Sequence, residues 1–211
     1  MRTFVVRLGL LLATCFLPLL GHAEPREQLI PILGVTAGHE PSGSVTYLKA
    51  TFQERPDRSG LRLLFHDRPG RFTRMAQTSA ERAIRQAAAS LGLSTDSWTV
   101  ELTVPYDGLT IGGDSLSAMV GVTVAAMAQG KTVQTGHVLT GTLNTAGEIG
   151  PVGEVPLKVQ AARFAKMRRV LIPHQQVPAE PDETAGRQTE ITPIRSVPDA
   201  LDALTRPTTE K

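Results

Sequence analysis

One stretch of the sequence, residues 115–129, is apolar almost all the way round the helix that it would form, and Gly130 follows where a helix would stop. A helix without a polar face lies in the interior of a fold, because every side of it has to be covered. A glycine-rich segment, residues 106–114, leads into this stretch. The sequence therefore predicts a buried helix that begins directly after a glycine-rich loop.

Strand and helix patterns alternate along the rest of the chain. Apolar residues at the helical period predict a helix that stops at Gly92 and begins after Thr73 or Thr78, two equally good caps. A turn at residues 40–43 joins the first two strands. The predicted strands are 29–35, 44–52, 61–65, 98–104, 138–143, 169–172 and 191–194, and the last two helices are 156–167 and 197–204. This order predicts an α/β (α+β-like) fold, with mixed sheets and flanking helices in a single domain.

The start of the chain, residues 1–23, has the pattern of a secretory signal peptide. Two arginines accompany an apolar run, residues 8–20, and small residues suit a cleavage site after Ala23. One alternative is a membrane anchor, although the apolar run is shorter than the roughly 20 residues of a spanning helix. Another is a lipoprotein at Cys15, although the apolar run continues past that cysteine. We expect an exported protein, periplasmic or secreted, with no stable membrane anchor after cleavage.

Cleavage would leave residues 24–205 as the predicted domain and residues 206–211 as a tail that we expect to be disordered. It takes away two of the 22 basic residues and none of the 20 acidic ones, so the net charge becomes about zero and a nucleic-acid partner is not expected. It also removes the only cysteine, Cys15. The domain then has no thiol nucleophile and no cysteine metal site, so a nucleophile has to be a serine or a threonine.

Lys158 lies on the wrong side of its predicted helix for a surface lysine. At about 100° per residue it groups with three alanines and faces away from the polar residues. The alanines are Ala161, Ala162 and Ala165, and the polar residues are Gln160, Arg163 and Lys166. An amine directed into the core loses solvation, which lowers its pKa and lets it act as a general base. The alternative is that the side chain extends past the helix end into solvent.

Ser115 stands where the glycine-rich loop meets the apolar helix. Glycines before it let a substrate approach the backbone closely, and the free N–H groups at a helix start can stabilise an oxyanion. The alternative is that Ser115 only caps the helix, which is the usual role of a serine at this position. Ser117 is a rival nucleophile, but it lies further into the helix, where its hydroxyl can bond to a backbone carbonyl.

Segments around these residues resemble the proteolytic domain of Lon proteases, nearest to the archaeal type. Gly113-Asp114-Ser115-Leu116-Ser117-Ala118 is similar to the glycine–aspartate–serine signature at the family's nucleophile. The block from Thr140 to Gly153 is similar to the one that leads to its catalytic lysine, and Val170-Leu171-Ile172-Pro173 to the strand that follows. The resemblance covers roughly residues 34–173 and implies the Lon proteolytic-domain fold.

The resemblance also implies a role for each matching residue. Ser115 would be the nucleophile and Lys158 its general base, with Gly113 and Asp114 as supporting parts of the signature around the serine. Thr140 matches the family's threonine, whose hydroxyl would hold the amine in place. The alternative for Thr140 is an ordinary strand threonine.

Glu40 corresponds to an acidic residue near the family's site. The chain also departs from the family pattern, because bacterial cytoplasmic members carry histidines where it has Glu101 and Thr103, and an aspartate where it has Gly112. No G-x-x-x-x-G-K-[ST] phosphate loop occurs in the sequence. We therefore expect a stand-alone form that lacks the ATPase module of Lon.

The expected function is that of an ATP-independent serine endopeptidase, without a cofactor, that cleaves flexible or unfolded proteins or peptides. The resemblance implies self-association into a ring-shaped homo-oligomer. The alternative is a catalytically inactive interaction domain that keeps the Lon fold, since a similar fold occurs in a recombination protein. A zinc enzyme is not expected, because the histidines are scattered without ligand spacing: His39, His66, His137 and His174.

Overall fold

The structure is a computed structural model that describes residues 24–36, 39–176 and 189–206. The predicted signal peptide, residues 1–23, lies outside the described residues, and so does the tail after Arg206. No helix in the described ranges is long and apolar enough to cross a membrane.

The predicted strands and helices occur in the predicted order, and the structure adds two-residue strands at 71–72, 110–111 and 149–150 that the sequence does not predict. The strands are β1 (Arg26–Thr36), β2 (Ser42–Glu54), β3 (Arg62–His66), β4 (Arg71–Phe72), β5 (Trp98–Thr103), β6 (Thr110–Ile111), β7 (His137–Leu139), β8 (Thr142–Leu143), β9 (Ile149–Gly150), β10 (Arg169–Pro173) and β11 (Glu190–Ile194). The helices are α1 (Arg74–Ser90), α2 (Ser117–Ala128), α3 (Val155–Phe164) and α4 (Val197–Thr205), and a short 3-10 helix spans His174–Gln176.

The larger sheet has four strands in the order β1-β2-β5-β3. β1 and β2 form a long antiparallel hairpin, β5 is antiparallel to β2, and β3 is parallel to β5. Ser42 and Gly43, predicted as turn residues, already belong to β2, because Thr36 and Ser42 extend the pairing through their hydroxyls at 2.8 Å. The inner face of this sheet is buried and carries Ile30, Leu48, Ala50, Phe52, Val100 and Leu102.

α2 is the buried helix that the sequence predicts, since every residue from Ser117 to Met127 is buried. α1, α4 and the large sheet pack around it. It begins at Ser117 rather than Ser115, because Ser115 and Leu116 form a turn. The N–H of Ser117 donates to the carbonyl of Asp114 at 2.9 Å and closes this turn. Ser115 therefore lies just outside the first turn of the helix.

α1 packs against α2 and begins at one of its two predicted caps. Thr73 is the cap, and its hydroxyl oxygen accepts the N–H of Ala76 at 3.3 Å. Thr78 lies inside the helix. The two helices meet closely at Gly121, where a Cβ would lie 2.6 Å from the carbonyl oxygen of Ala83. This contact brings α2 against the backbone of α1.

The smaller sheet is parallel, in the order β11-β10-β7, and the strand predicted at 138–143 is not a single strand. The N–H of Thr140 still donates to the carbonyl of Leu171 at 3.0 Å, in continuation of the sheet. The next N–H, that of Gly141, donates instead to the carbonyl of Ser115 at 3.1 Å. The chain therefore leaves the sheet to bind the turn before α2, and β8 pairs with β9.

The last two helices also follow the prediction, with one difference in length. α3 ends at Phe164, earlier than predicted, and Lys166 has left-handed backbone with φ of 55°. Ser196 caps α4, and its hydroxyl oxygen accepts the N–H of Asp199 at 3.3 Å. Mixed sheets with flanking helices confirm the predicted α/β (α+β-like) class.

Candidate active site

The Lys158 side chain is buried in the structure, with 4% of the residue exposed. Its neighbours Ala161 and Ala162 are buried too, whereas Gln160 is exposed, so the predicted inner face of α3 is confirmed. The alternative, in which the amine extends past the helix end into solvent, is wrong. Ala165 is exposed, contrary to the prediction, because α3 ends before it.

The environment of the amine favours its neutral form. Burial lowers the pKa of Lys158, since loss of solvation disfavours the ammonium. The carboxylates of Asp114 and, to a smaller extent, Glu154 act in the opposite direction and raise this pKa. The net shift is downward. An amine with a lowered pKa loses its proton at a lower pH than an ordinary lysine, which suits it to act as a general base.

Ser115 is half-buried in the turn between the glycine-rich loop and α2. The cap of α2 is Leu116, and no side chain of the described residues caps the start of the helix, so the alternative of Ser115 as a capping serine is wrong. Gly113 has φ of 79°, and apart from its chain neighbours no atom of the described residues lies within 4 Å of the place where its Cβ would be. Ser117, the rival, is only 3% exposed within α2. The loop is therefore open beside Ser115 and closed around Ser117.

Thr140 lies next to the residue that holds the serine turn. The N–H of its neighbour Gly141 donates to the carbonyl of Ser115, and the carbonyl of Gly141 accepts the N–H of Ala118, both at 3.1 Å. Thr140 is fully buried, and its hydroxyl oxygen has no hydrogen-bond partner among the described residues. A buried hydroxyl without a hydrogen bond costs about 1–3 kcal/mol. The Thr140 hydroxyl is therefore a candidate to accept a hydrogen bond from a group that moves during the reaction.

The acidic residues around the amine are only partly those that the sequence predicts. Asp114 acts on the charge of Lys158, but Glu40 is exposed at the end of the hairpin and does not contribute to the shift of the Lys158 pKa. Glu154, which sequence reasoning missed, does contribute. Its position four residues before Lys158 at the start of a helix is a spacing that could have identified it.

Gly43 is a second residue that sequence reasoning missed. A Cβ at this position would overlap the carbonyl oxygen of Leu157 and lie 2.9 Å from the Cβ of Ala161. Only a glycine therefore lets α3 lie this close to β2. Because Leu157 directly precedes Lys158, this contact fixes the depth of the lysine. A glycine within a strand is a known signal for the close approach of another backbone, but it does not name the partner.

Asp114 connects the two candidate catalytic residues, because it adjoins Ser115 in the chain and its carboxylate acts on Lys158. No hydrogen bond joins Ser115 to Lys158, or Thr140 to Lys158, within the described ranges. Catalytic hydrogen bonds are often long before substrate binds. In the same part of the chain, no three histidine, cysteine or acidic side chains come together to hold a metal ion. The groups present suit acyl transfer through a serine and an amine base.

A model of the Lon protease (S16) C-terminal proteolytic domain matches residues 70–204. The chain is similar to Lon protease 2 of Syntrophobacter fumaroxidans, with 31% identity over 116 residues, which are 54% of this chain and 15% of that protein. It is similar to the Lon protease of Phenylobacterium zucineum, with 27% identity over 168 residues, or 76% of this chain and 20% of that protein. An archaeal Lon protease of Methanothermobacter thermautotrophicus is 32% identical over 104 residues, or 49% of this chain and 16% of that protein.

The aligned regions thus span a fifth or less of the length of these relatives. The family match covers more than half of this chain and includes Ser115, Thr140 and Lys158. It also agrees with the mixed α/β architecture described above. The chain therefore belongs to the Lon protease (S16) family and carries the C-terminal proteolytic domain of that family.

Proposed function

We propose that the chain is a serine endopeptidase in which Ser115 is the nucleophile and Lys158 the general base. The observation that carries the proposal is the burial of Lys158, which lowers the pKa of its amine on a helix held against the domain interior. Ser115 supplies the other half, because its hydroxyl is not used to cap α2 and the glycine-rich loop leaves space beside it.

The proposed reaction begins with proton transfer from the Ser115 hydroxyl to the neutral Lys158 amine, while the serine oxygen attacks the peptide carbonyl carbon. The positive end of the α2 dipole stabilises the negative charge that develops on the carbonyl oxygen, while the N–H groups of Ser117 and Ala118 stay bound to the carbonyls of Asp114 and Gly141. The Lys158 ammonium then gives its proton to the leaving amine as the carbon–nitrogen bond breaks. Water, deprotonated by the amine, hydrolyses the acyl-enzyme and returns Ser115 to its starting state.

Three neighbours have supporting roles in this proposal. The negative charge of Asp114 favours the ammonium that forms when Lys158 takes the proton, so it stabilises the charged intermediate state. The hydroxyl oxygen of Thr140, buried and without a partner among the described residues, is available to accept a hydrogen bond from that ammonium. Gly113 keeps the loop beside the serine open to the substrate backbone.

We also propose that the reaction needs no ATP and takes place outside the cytoplasm. The support is the absence of a phosphate-binding motif from the 211 residues and the secretory pattern of residues 1–23. Without coupled unfolding, the substrates are flexible segments or unfolded proteins. Self-association into a ring belongs to the same proposal and follows from the family alone.

A cleavage assay with an unfolded casein substrate, without nucleotide, tests the function. Wild-type protein is expected to cleave the substrate, and Ser115→Ala is expected to lose at least about 10³-fold in kcat/KM, because the acyl-enzyme cannot form. Ser117→Ala, two residues further along the chain, is the matched control and should keep activity. Equal cleavage by wild type and Ser115→Ala would refute the dyad, and no cleavage by folded wild type would favour the inactive interaction domain.

The pH dependence of kcat/KM tests the role of Asp114. Activity rises with pH as Lys158 loses its proton, so the midpoint of the acid limb reports the pKa of the amine in the free enzyme. Asp114→Asn removes a negative charge that raises this pKa, so the acid limb should move to lower pH. Asp107→Asn, an exposed change in the same loop, is the control and should leave the limb in place. A limb that stays fixed or moves to higher pH in Asp114→Asn contradicts the assignment.

A further inference from the structure

Gln176 binds the segment that leads into the lysine helix. It is the last residue of the short 3-10 helix after β10. Its Oε1 accepts the N–H of Val152 at 2.8 Å, and its Nε2 donates to the carbonyl of Val152 at 2.6 Å. One side chain thus satisfies both polar backbone groups of a residue 24 positions away, as a neighbouring strand would.

Among the described residues, no side chain caps the start of α3. Its cap residue, Glu154, has left-handed backbone with φ of 56° and ψ of 39° and makes no capping hydrogen bond with its side chain. A left-handed residue other than glycine costs about 1–2 kcal/mol and persists only where the surrounding structure holds it. Val152 lies two residues before Glu154, and its hydrogen bonds with Gln176 stabilise the backbone there.

A shift at Val152 would be carried directly to the amine. Lys158 lies in the first full turn of α3, and its N–H donates to the carbonyl of Glu154 at 3.1 Å. Val152 also packs against the small apolar cluster that contains Val155 and Val159, on the buried side of the helix. Residues 152–158 therefore form one short, connected segment, and Gln176 binds its first residue.

We propose that Gln176 is a positioning residue for Lys158: its amide fixes the segment before α3 and thereby sets where the amine stands relative to Ser115. The inference rests on the proposed dyad. A misplacement of about 1 Å at a catalytic group can cost roughly 10²-fold in rate. Gln176 acts through Val152 and the helix, and it does not touch the reacting atoms.

The kinetic test compares Gln176→Met, which keeps the length of the side chain but not its hydrogen bonds, with Gln175→Met, an exposed neighbour. We expect kcat of Gln176→Met to fall by about 10- to 100-fold with KM of a casein-derived peptide changed by less than about twofold. The acid limb of its kcat profile should also move, because the surroundings of the amine change. Gln175→Met should match wild type in all three measurements.

A second readout does not depend on peptidase activity. The rate at which acetic anhydride acetylates Lys158, followed by mass spectrometry of the folded protein, should rise in Gln176→Met and stay at the wild-type value in Gln175→Met. The same comparison in a Ser115→Ala background should give the same result. Wild-type protein without peptidase activity would refute the proposed function, and this readout would still decide whether Gln176 positions the amine.

Two results for the methionine variant would overturn the inference, and a third concerns the glutamate variant that would replace it. One is a folded Gln176→Met protein with wild-type kcat and a protected Lys158. Another is a loss of kcat that disappears when activity is corrected for the folded fraction. If the methionine variant does not fold, Gln176→Glu replaces it, because this change keeps the acceptor for the Val152 N–H and loses only the donor. The kcat of Gln176→Glu should be lower than that of wild type, but by less than the loss predicted for Gln176→Met. A Gln176→Glu protein with wild-type kcat would overturn the inference.

Discussion

Replacement of Lys158 with methionine is expected to remove nearly all peptidase activity and, at the same time, to make the folded domain more stable. A general base contributes about 10²–10⁴-fold to rate, so kcat/KM should fall by about that factor. The buried amine loses its solvation on folding, whereas methionine is apolar and has a similar length. Because burial disfavours the charged amine, an apolar side chain of similar length should raise the free energy of unfolding by about 1 kcal/mol or more.

The gain in stability should depend on pH in a defined direction. The pKa of Lys158 is lower in the folded chain than in the unfolded chain. Between these two pKa values the unfolded chain binds more protons, so the stability of the wild type rises with pH. Above the pKa of the unfolded chain both forms are neutral and the cost disappears. The advantage of Lys158→Met should therefore be largest near about pH 7 and shrink toward about pH 10.

Thermal and urea unfolding at both pH values measure this effect, with Lys131→Met as the control. Lys131 is exposed, so its replacement should change the free energy of unfolding by less than about 0.5 kcal/mol at either pH. A Lys158→Met protein that is less stable than wild type near about pH 7 would mean that the amine makes favourable interactions in the folded state. Retained peptidase activity in this variant would contradict the assignment of the base.

Gly43→Ala is expected both to destabilise the domain and to lower its activity. The added methyl group would overlap the carbonyl oxygen of Leu157, a backbone atom that can move only if α3 moves. Overpacking of this kind costs about 1–3 kcal/mol. Because Leu157 adjoins Lys158, displacement of α3 should also lower kcat/KM by at least about 10-fold.

Gly153→Ala is the matched control for this change. Gly153 also lies close to α3 in the chain, but in the part of the chain that the structure describes no atom beyond its own neighbours is within 4 Å of its Cβ position, and its φ is not in the left-handed region. Its replacement should therefore leave Tm and kcat/KM close to the wild-type values. A Gly43→Ala protein that equals Gly153→Ala in both measurements would show that the contact with Leu157 does not position the lysine.

Most of the fold was predictable from local patterns. The helical period of residues 80–91 and the apolar stretch before Gly130 identified α1 and α2, and period-two alternation identified β5. The inward position of Lys158 followed from its place among alanines on α3. These features depend on residues within about two helical turns of one another, and the periodic spacing of such residues indicates which side chains share a face.

The features that the sequence did not predict come from contacts between distant segments. The predicted strand at 138–143 divides because Gly141 binds the carbonyl of Ser115, which no local pattern indicates. Gly43 was assigned to a turn, but its function is to admit the backbone at Leu157. Gln176 follows a strand as an ordinary polar residue, and only the fold shows that its amide binds Val152.

The most direct measurement of the central claim is the rate at which a fluorophosphonate labels Ser115, followed by mass spectrometry as a function of pH. If the buried Lys158 amine activates Ser115, the wild-type rate should rise through a midpoint below the ordinary pKa of lysine, and Lys158→Met should be slower by about 10²-fold or more. Equal labelling rates in the two proteins, or labelling of Ser117 in place of Ser115, would contradict the account.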